Sequence, residues 1–150
     1  MRSVLFAALA LLAGCHPRPN AAPAPSPAGG ESAAGGGPLA ASFQIQPSPD
    51  SVVFVLAVTN ATQQPLTLDF SSGQSYDFTV ADAGHEVWRW SADRMFTQAL
   101  RSETLGPGET RTWRERWTPA PALRGHELTA TARLVSTSHA LTRAQTFRLP

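Results

Sequence analysis

From residue 51 onward, large apolar and polar side chains alternate with period two, and turn-forming residues interrupt the pattern about every 8–12 positions. In SVVFVLAVTN (51–60), Val52, Phe54, Leu56 and Val58 fall on one face of an extended chain. PLTLDF (65–70) repeats the pattern with Leu66, Leu68 and Phe70, YDFTVAD (76–82) with Tyr76, Phe78 and Val80, and HELTATARLV (126–135) with Leu128, Ala130, Ala132 and Leu134. Turn signals separate these runs: Asn60-Ala61-Thr62, Ser71-Ser72-Gly73, Asp82-Ala83-Gly84 and Pro107-Gly108. Pro107 presets φ and Gly108 tolerates a positive φ, which suits the two central positions of a type II turn. Strands are expected near 40–46, 52–60, 65–70, 76–82, 85–91, 98–105, 109–118, 126–135 and 143–149. The fold class is therefore all-β, an immunoglobulin-like antiparallel β-sandwich of eight or nine strands.

The aromatic residues test that reading. In HEVWRWS (85–91), alternation sets Trp88 and Trp90 against Val87, Arg89 and Ser91; in ETRTWRERWT (109–118) it groups Trp113, Glu115 and Trp117 opposite Arg114 and Arg116. A buried tryptophan removes about 150–250 Å² from water, up to ~4–6 kcal/mol at ~25 cal/mol/Å². Trp88, Trp90, Trp113 and Trp117 are thus expected on the inner faces with Tyr76 and Phe78, and the arginines at the rims. Glu115 between two inward rings needs an arginine partner or a place on an edge strand. Ser91 is placed to cap a short helical turn through Asp93 and Arg94 as the chain crosses between sheets.

The N-terminus has a different character. MRSVLFAALALLAGC carries Arg2, an apolar run from Val4 to Ala13, and Gly14-Cys15, the anatomy of an export signal; the run is shorter than the ~20 residues a membrane span needs. Leu12-Ala13-Gly14-Cys15 resembles the bacterial lipobox, which implies a signal peptide over 1–14 and lipid attachment at Cys15, the only cysteine. Residues 15–38 then form a tether of Pro, Ala, Gly and Ser, too poor in large apolar groups to offset its ordering entropy. Its reach is roughly 25–30 Å as a coil and roughly 70 Å fully extended. The folded domain is expected over 39–150, held to the outer membrane or the outer face of the cytoplasmic membrane.

The segments LTLDFSSGQSYDFTVADAGHEVWRWSADRMFTQAL and LGPGET, followed by an aromatic strand, resemble the BsuPI-type intracellular proteinase inhibitor family over roughly residues 51–118. SSGQSYDF and VWRWS are the specific parts. The resemblance implies a small β-sandwich that binds a protease. An exported chain meets no cytoplasmic enzyme, so its target lies outside the cytoplasm.

Other functions find little support. All twelve basic residues are Arg, set against eleven acidic ones, so the chain lacks the positive excess of a nucleic-acid binder. There is no G-x-S-x-G elbow, and HEVWR and HELTA each lack the second histidine of H-E-x-x-H. His16, His85, His126 and His139 are widely separated, so no transition-metal site and no cofactor are expected. Asp69, Asp77 and Asp82 alternate near turns and read as turn formers before calcium ligands. The leading expectation is a lipid-anchored, non-catalytic domain that binds a protein partner, a protease among the candidates, through loops at one end of the sandwich. Ser72, Gly73 and Gln74 in one loop and Asp93, Arg94 and Met95 in another are the candidate contacts, with Arg94 or Met95 to fill a specificity pocket. The plainer reading of the second loop is a sheet crossover. An envelope assembly adaptor is the alternative function, and capture of a small ligand in a Trp-lined groove a third.

Overall fold

The computed structural model describes residues 37–150. The expected signal peptide, Cys15, His16 and the expected tether as far as residue 36 lie outside the described residues. Nine strands follow: β1 (Leu39–Pro47), β2 (Val52–Asn60), β3 (Leu66–Phe70), β4 (Tyr76–Asp82), β5 (His85–Arg89), β6 (Arg101–Leu105), β7 (Thr110–Trp117), β8 (Glu127–Leu134) and β9 (Leu141–Arg148). A single 3-10 turn, Pro121–Leu123, is the only helical element among the described residues. Every strand pairing is antiparallel, in a three-stranded sheet β1-β2-β7, a ribbon β3-β6 and a four-stranded sheet β5-β4-β8-β9.

The expected sandwich is present, and the alternation locates its core. Val52, Phe54, Leu56 and Val58 of β2 are fully buried, as are Leu128, Ala130, Ala132 and Leu134 of β8 and Phe78 and Val80 of β4. Leu68, Phe70 and Leu105 bring the β3-β6 ribbon into the same cluster. Aromatic rings join the two larger sheets: Phe54 stacks on Phe78 at 5.8 Å between centroids, and Phe43 on Phe78 at 6.0 Å. Each of these large apolar side chains contributes ~1.5–3 kcal/mol by leaving water.

The boundaries on either side of the β5–β6 connection differ from expectation. Strand β5 ends at Arg89 and β6 begins only at Arg101, because residues 90–100 leave one sheet and cross to another. The tryptophans also divide. Trp117 is buried at 6% exposure, whereas Trp88, Trp90 and Trp113 are half-buried and pack against the margin of the core. The reason is topological: β5 and β7 are each the last strand of their sheet, so Trp88, Trp113 and, just beyond β5, Trp90 reach the rim, while Trp117 is covered by Trp88.

Asn60, read from sequence as a turn residue, has a larger role. It is 1% exposed. Its side-chain amide donates to the carbonyls of Gln64 (2.7 Å), Leu105 (3.0 Å) and Gly106 (3.2 Å), and its Oδ1 accepts from Thr62 N (2.9 Å) and Oγ1 (2.8 Å). Its own N–H donates to Glu109 O at 3.0 Å, and its carbonyl accepts from Gly108 N at 3.0 Å. The end of β2 is thereby clamped to the β6–β7 turn, where Gly108 has the positive φ of 72° that Pro107-Gly108 called for. Asn60→Ala would remove the amide bonds to the Gln64, Leu105 and Gly106 carbonyls and take away the acceptor of Thr62 N, and we expect it to cost about 2–4 kcal/mol. The check is a urea titration in which the midpoint falls and the slope is unchanged.

Candidate functional site

The two loops singled out in the sequence both cross between sheets. Residues 71–75 lead from β3 to β4, and residues 90–100 lead from β5 to β6. They meet at Gly73, whose N–H donates to Thr97 O at 2.8 Å. A Cβ at Gly73 would stand 2.7 Å from Thr97 Oγ1, so any larger residue must displace the Thr97 side chain to keep this approach.

The longer loop is held at its start by a buried carboxylate. Asp77, 4% exposed, accepts hydrogen bonds from Ser91 Oγ (2.8 Å), Ser91 N (3.2 Å) and the Arg89 guanidinium (3.0 Å). The side chain of Ser91 therefore bonds back to β4 and does not cap the turn that follows; that turn is closed by Arg94 N donating to Ser91 O at 3.2 Å. Trp90 N–H extends the β4–β5 ladder by one bond, to Phe78 O at 2.9 Å.

Aromatic stacking fixes the middle of the loop. Tyr76 stacks on Trp90 at 4.3 Å and lies 5.4 Å from Trp113, and Phe96 packs on Trp90 at 5.7 Å. The Arg94 guanidinium lies 4.3 Å over the Trp90 ring, its Nε donates to Trp90 O at 3.2 Å, and its terminal nitrogen is 3.9 Å from Glu115. Glu115 also accepts a 2.5 Å hydrogen bond from the Tyr76 hydroxyl. The carboxylate that sequence left needing a partner thus has an arginine, a phenol and a place on an edge strand. Burial of Tyr76, together with its bond to Glu115, raises the phenol pKa above its ordinary value.

Arg101 holds the far end. Its Nε donates to Ser72 O at 3.1 Å, a second nitrogen bonds Ser75 Oγ, a third pairs with Glu103, and the guanidinium lies 4.1 Å over Phe70. Ser72 Oγ accepts from Gln74 N at 3.2 Å, and Gln74 Nε2 donates to Tyr76 O at 3.0 Å. Of the six candidate contact residues, Ser72, Gly73, Gln74 and Arg94 therefore build the paired loops. Asp93 and Met95 face solvent, and Met95 is 100% exposed between Arg94 and Phe96, both turned onto Trp90.

Beside the loop, Trp88, Arg89, Trp90, Asp93, Arg94 and Arg116 line a depression of about 300 Å³. The three aspartates near turns go to separate partners: Asp69 to Ser102 Oγ (2.6 Å), Asp77 to the loop, and Asp82 to His126 Nδ1 (3.0 Å). Among the described residues no three His, Cys, Asp or Glu side chains are grouped to hold a metal ion. Asp77 and Arg101 were missed from sequence. A signal existed for Asp77: it and Arg89 both lie opposite the aromatic face of successive hairpin strands, and the register Thr79↔Arg89 makes them diagonal neighbours. Nothing in the local pattern marks Arg101.

The family model for BsuPI, intracellular proteinase inhibitor, matches residues 39–138, from the first residue of β1 to just short of β9. The chain belongs to this family. The BsuPI match is broader than the resemblance seen from motifs alone, and it takes in both loops. Among solved structures, the chain is similar to Spo0M, a sporulation control protein from Bacillus subtilis, at 12% identity and a TM-score of 0.42, over 75% of this chain and 49% of that one. It thus spans about half the length of Spo0M. It is also similar to the yeast GGA1 GAE domain (12% identity, TM-score 0.28, 75% of this chain and 91% of that one). The GAE domain of GGA2p from Saccharomyces cerevisiae gives 14% identity and a TM-score of 0.28, over 75% of this chain and 89% of that one. Comparison with curated proteins found no match.

Two outcomes follow from this geometry. Gly73→Val should separate the loops and leave the core in place, so limited proteolysis within residues 92–100 should accelerate by about tenfold or more, as local opening is eased by ~1.4 kcal/mol. The second concerns pH. A folded-state phenol pKa above the unfolded value of ~10 gives stability that is complete below pH ~10 and is lost as pH rises toward the folded value. Tyr76 is the only tyrosine, so the tyrosinate absorbance band reads it directly. Its midpoint should lie above ~10 in the native chain and return to ~10 in urea, and Tyr76→Phe should flatten the alkaline loss of stability.

Proposed function

We propose that this BsuPI-family domain is a lipid-anchored, exported, non-catalytic inhibitor of a protease, and that residues 90–100 are the segment it offers to the enzyme cleft. The observation that carries the reading is Met95: a fully exposed apolar side chain on a loop whose neighbours on both sides are held by stacking and hydrogen bonds. A substrate-like segment must be extended and ordered before binding, because ordering each rotamer-rich side chain at an interface costs about 0.5–1.5 kcal/mol. Here Asp77, Trp90 and Gly73 do that ordering in advance.

Of the two side chains considered for a specificity pocket, Arg94 is engaged by Trp90 and Glu115, which leaves Met95. An unbranched thioether suits an apolar pocket of medium depth, so the target class is an endopeptidase that prefers apolar residues, with serine proteases of that preference the first to test. Anchoring rests on the Leu12-Ala13-Gly14-Cys15 motif and the composition of 15–38. Two or more acyl chains at Cys15 would hold the protein on the envelope, and the tether would let the domain search a shell of tens of ångströms. An adaptor role draws no comparable support from Met95 and Leu100, the two large apolar side chains that this segment exposes.

The purified full chain should slow a secreted serine protease of apolar preference at micromolar concentration. Met95→Gly should weaken inhibition by about 30-fold or more, the ratio that corresponds to a ~2 kcal/mol contact, with the urea midpoint unchanged. Absence of inhibition across a panel of such enzymes would remove the reading.

A further inference from the structure

Met95 is one of only two methionines in the chain, and the other is Met1. Its side chain is 100% exposed, while Arg94 and Phe96 turn onto Trp90 and leave the thioether to solvent. Oxidation of methionine follows access to the sulfur, so this residue meets a dissolved oxidant with nothing in the way. We propose that Met95 is an oxidation site at which peroxide-class oxidants switch off the loop; the inference rests on the inhibitory reading of residues 90–100 and specifies its regulation.

The chemistry balances as written. A lone pair of the thioether sulfur attacks one oxygen of hydrogen peroxide, the O–O bond breaks, an S–O bond forms, and the departing hydroxide takes the remaining proton and leaves as water. Sulfur is oxidised by two electrons and the peroxide is reduced by two. The product is a sulfoxide, a polar and chiral group with a strongly accepting oxygen, in place of a flexible apolar chain.

The location decides the effect. Within a core, a sulfoxide would disrupt packing and unfold the domain. Met95 packs against nothing, so the folded state is indifferent to the change. In an apolar pocket the same oxygen would have to lose its water without gaining a donor, which opposes binding. The switch therefore acts on the complex and spares the sandwich, and methionine sulfoxide reductases make it reversible.

The test uses the full chain, the protease that it inhibits, and hydrogen peroxide as the probe. Treatment sufficient to add one oxygen to the peptide containing Met95, read by mass spectrometry, should weaken inhibition by about tenfold or more and leave the urea midpoint unchanged. Met95→Leu alters the contact in the pocket and so has its own inhibition constant, but that constant should not change on treatment, which separates oxidation at Met95 from oxidation at Met1 and Cys15. Reduction of the sulfoxide should restore activity. Inhibition that persists when Met95 is fully oxidised overturns the switch and leaves the inhibitory reading standing, as does loss of inhibition that Met95→Leu shares. If the untreated chain inhibits no protease, the inhibitory reading falls and the switch falls with it.

Discussion

The rim of the sandwich is set by one constraint: β5, which carries Trp88 and leads into Trp90, and β7, which carries Trp113 and Trp117, are both sheet ends, and they meet where Trp88 stacks on Trp117. Trp88 stacks on Trp117 at 5.7 Å and on Phe54 at 5.6 Å, so a column of rings runs from the centre of one sheet to the edge of the other. Beside it, Tyr76 lies against both Trp90 and Trp113. Stacked pairs of this kind add about 0.5–1.5 kcal/mol each beyond the area they bury. That is enough to hold a crossover loop whose backbone would otherwise cost roughly 1–2 kcal/mol per residue to order only where several contacts act together. Tyr76, Phe96 and Arg94 all pack on the same indole, that of Trp90, which concentrates those contacts at one point.

Glu115 shows how a polar group is accommodated among these rings. An unpartnered carboxylate there would be strongly unfavourable. The Tyr76 hydroxyl donates to one oxygen, and the Arg94 guanidinium stands near the other while covering Trp90. Arg94 and Glu115 come from opposite sides of the rim, so the pair ties the loop to the edge of β7. Because Arg94 remains half exposed, solvent screens the charge attraction, and its stacking on Trp90 is the stronger part of its hold.

The strands were legible because alternation is a local property. Val52 to Val58 and Leu128 to Leu134 are inner faces by period alone, and all of the large residues among them are buried. The crossovers were legible as turn-rich gaps, and their adjacency followed only from the fold: nothing local links Gly73 to Thr97. The three half-buried tryptophans show where alternation stops being informative. It gives the side of the strand on which a residue lies, and strand order, a long-range property, decides whether that side meets the core or the rim. The clamp that Asn60 makes beyond its own turn and the hold of Arg101 were not legible for the same reason, since Leu105 is 45 residues from Asn60 and Ser72 is 29 from Arg101. Asp77, by contrast, had its partner one hairpin away.

The two readings of residues 90–100, sheet crossover and binding loop, turn out not to compete. A crossover between packed sheets must span their separation, so its middle is extended and its ends are anchored. An inhibitory segment needs the same properties, with one further condition: a side chain left over after the anchors are satisfied. Ser91, Arg94, Phe96 and Thr97 each have a partner in the fold. Met95 has none, and Leu100 at the end of the segment is also largely exposed; structure alone gives no return for exposing these apolar surfaces to water. An apolar group that the fold does not use, presented by residues that the fold holds fast, is what a partner with an apolar pocket would recognise.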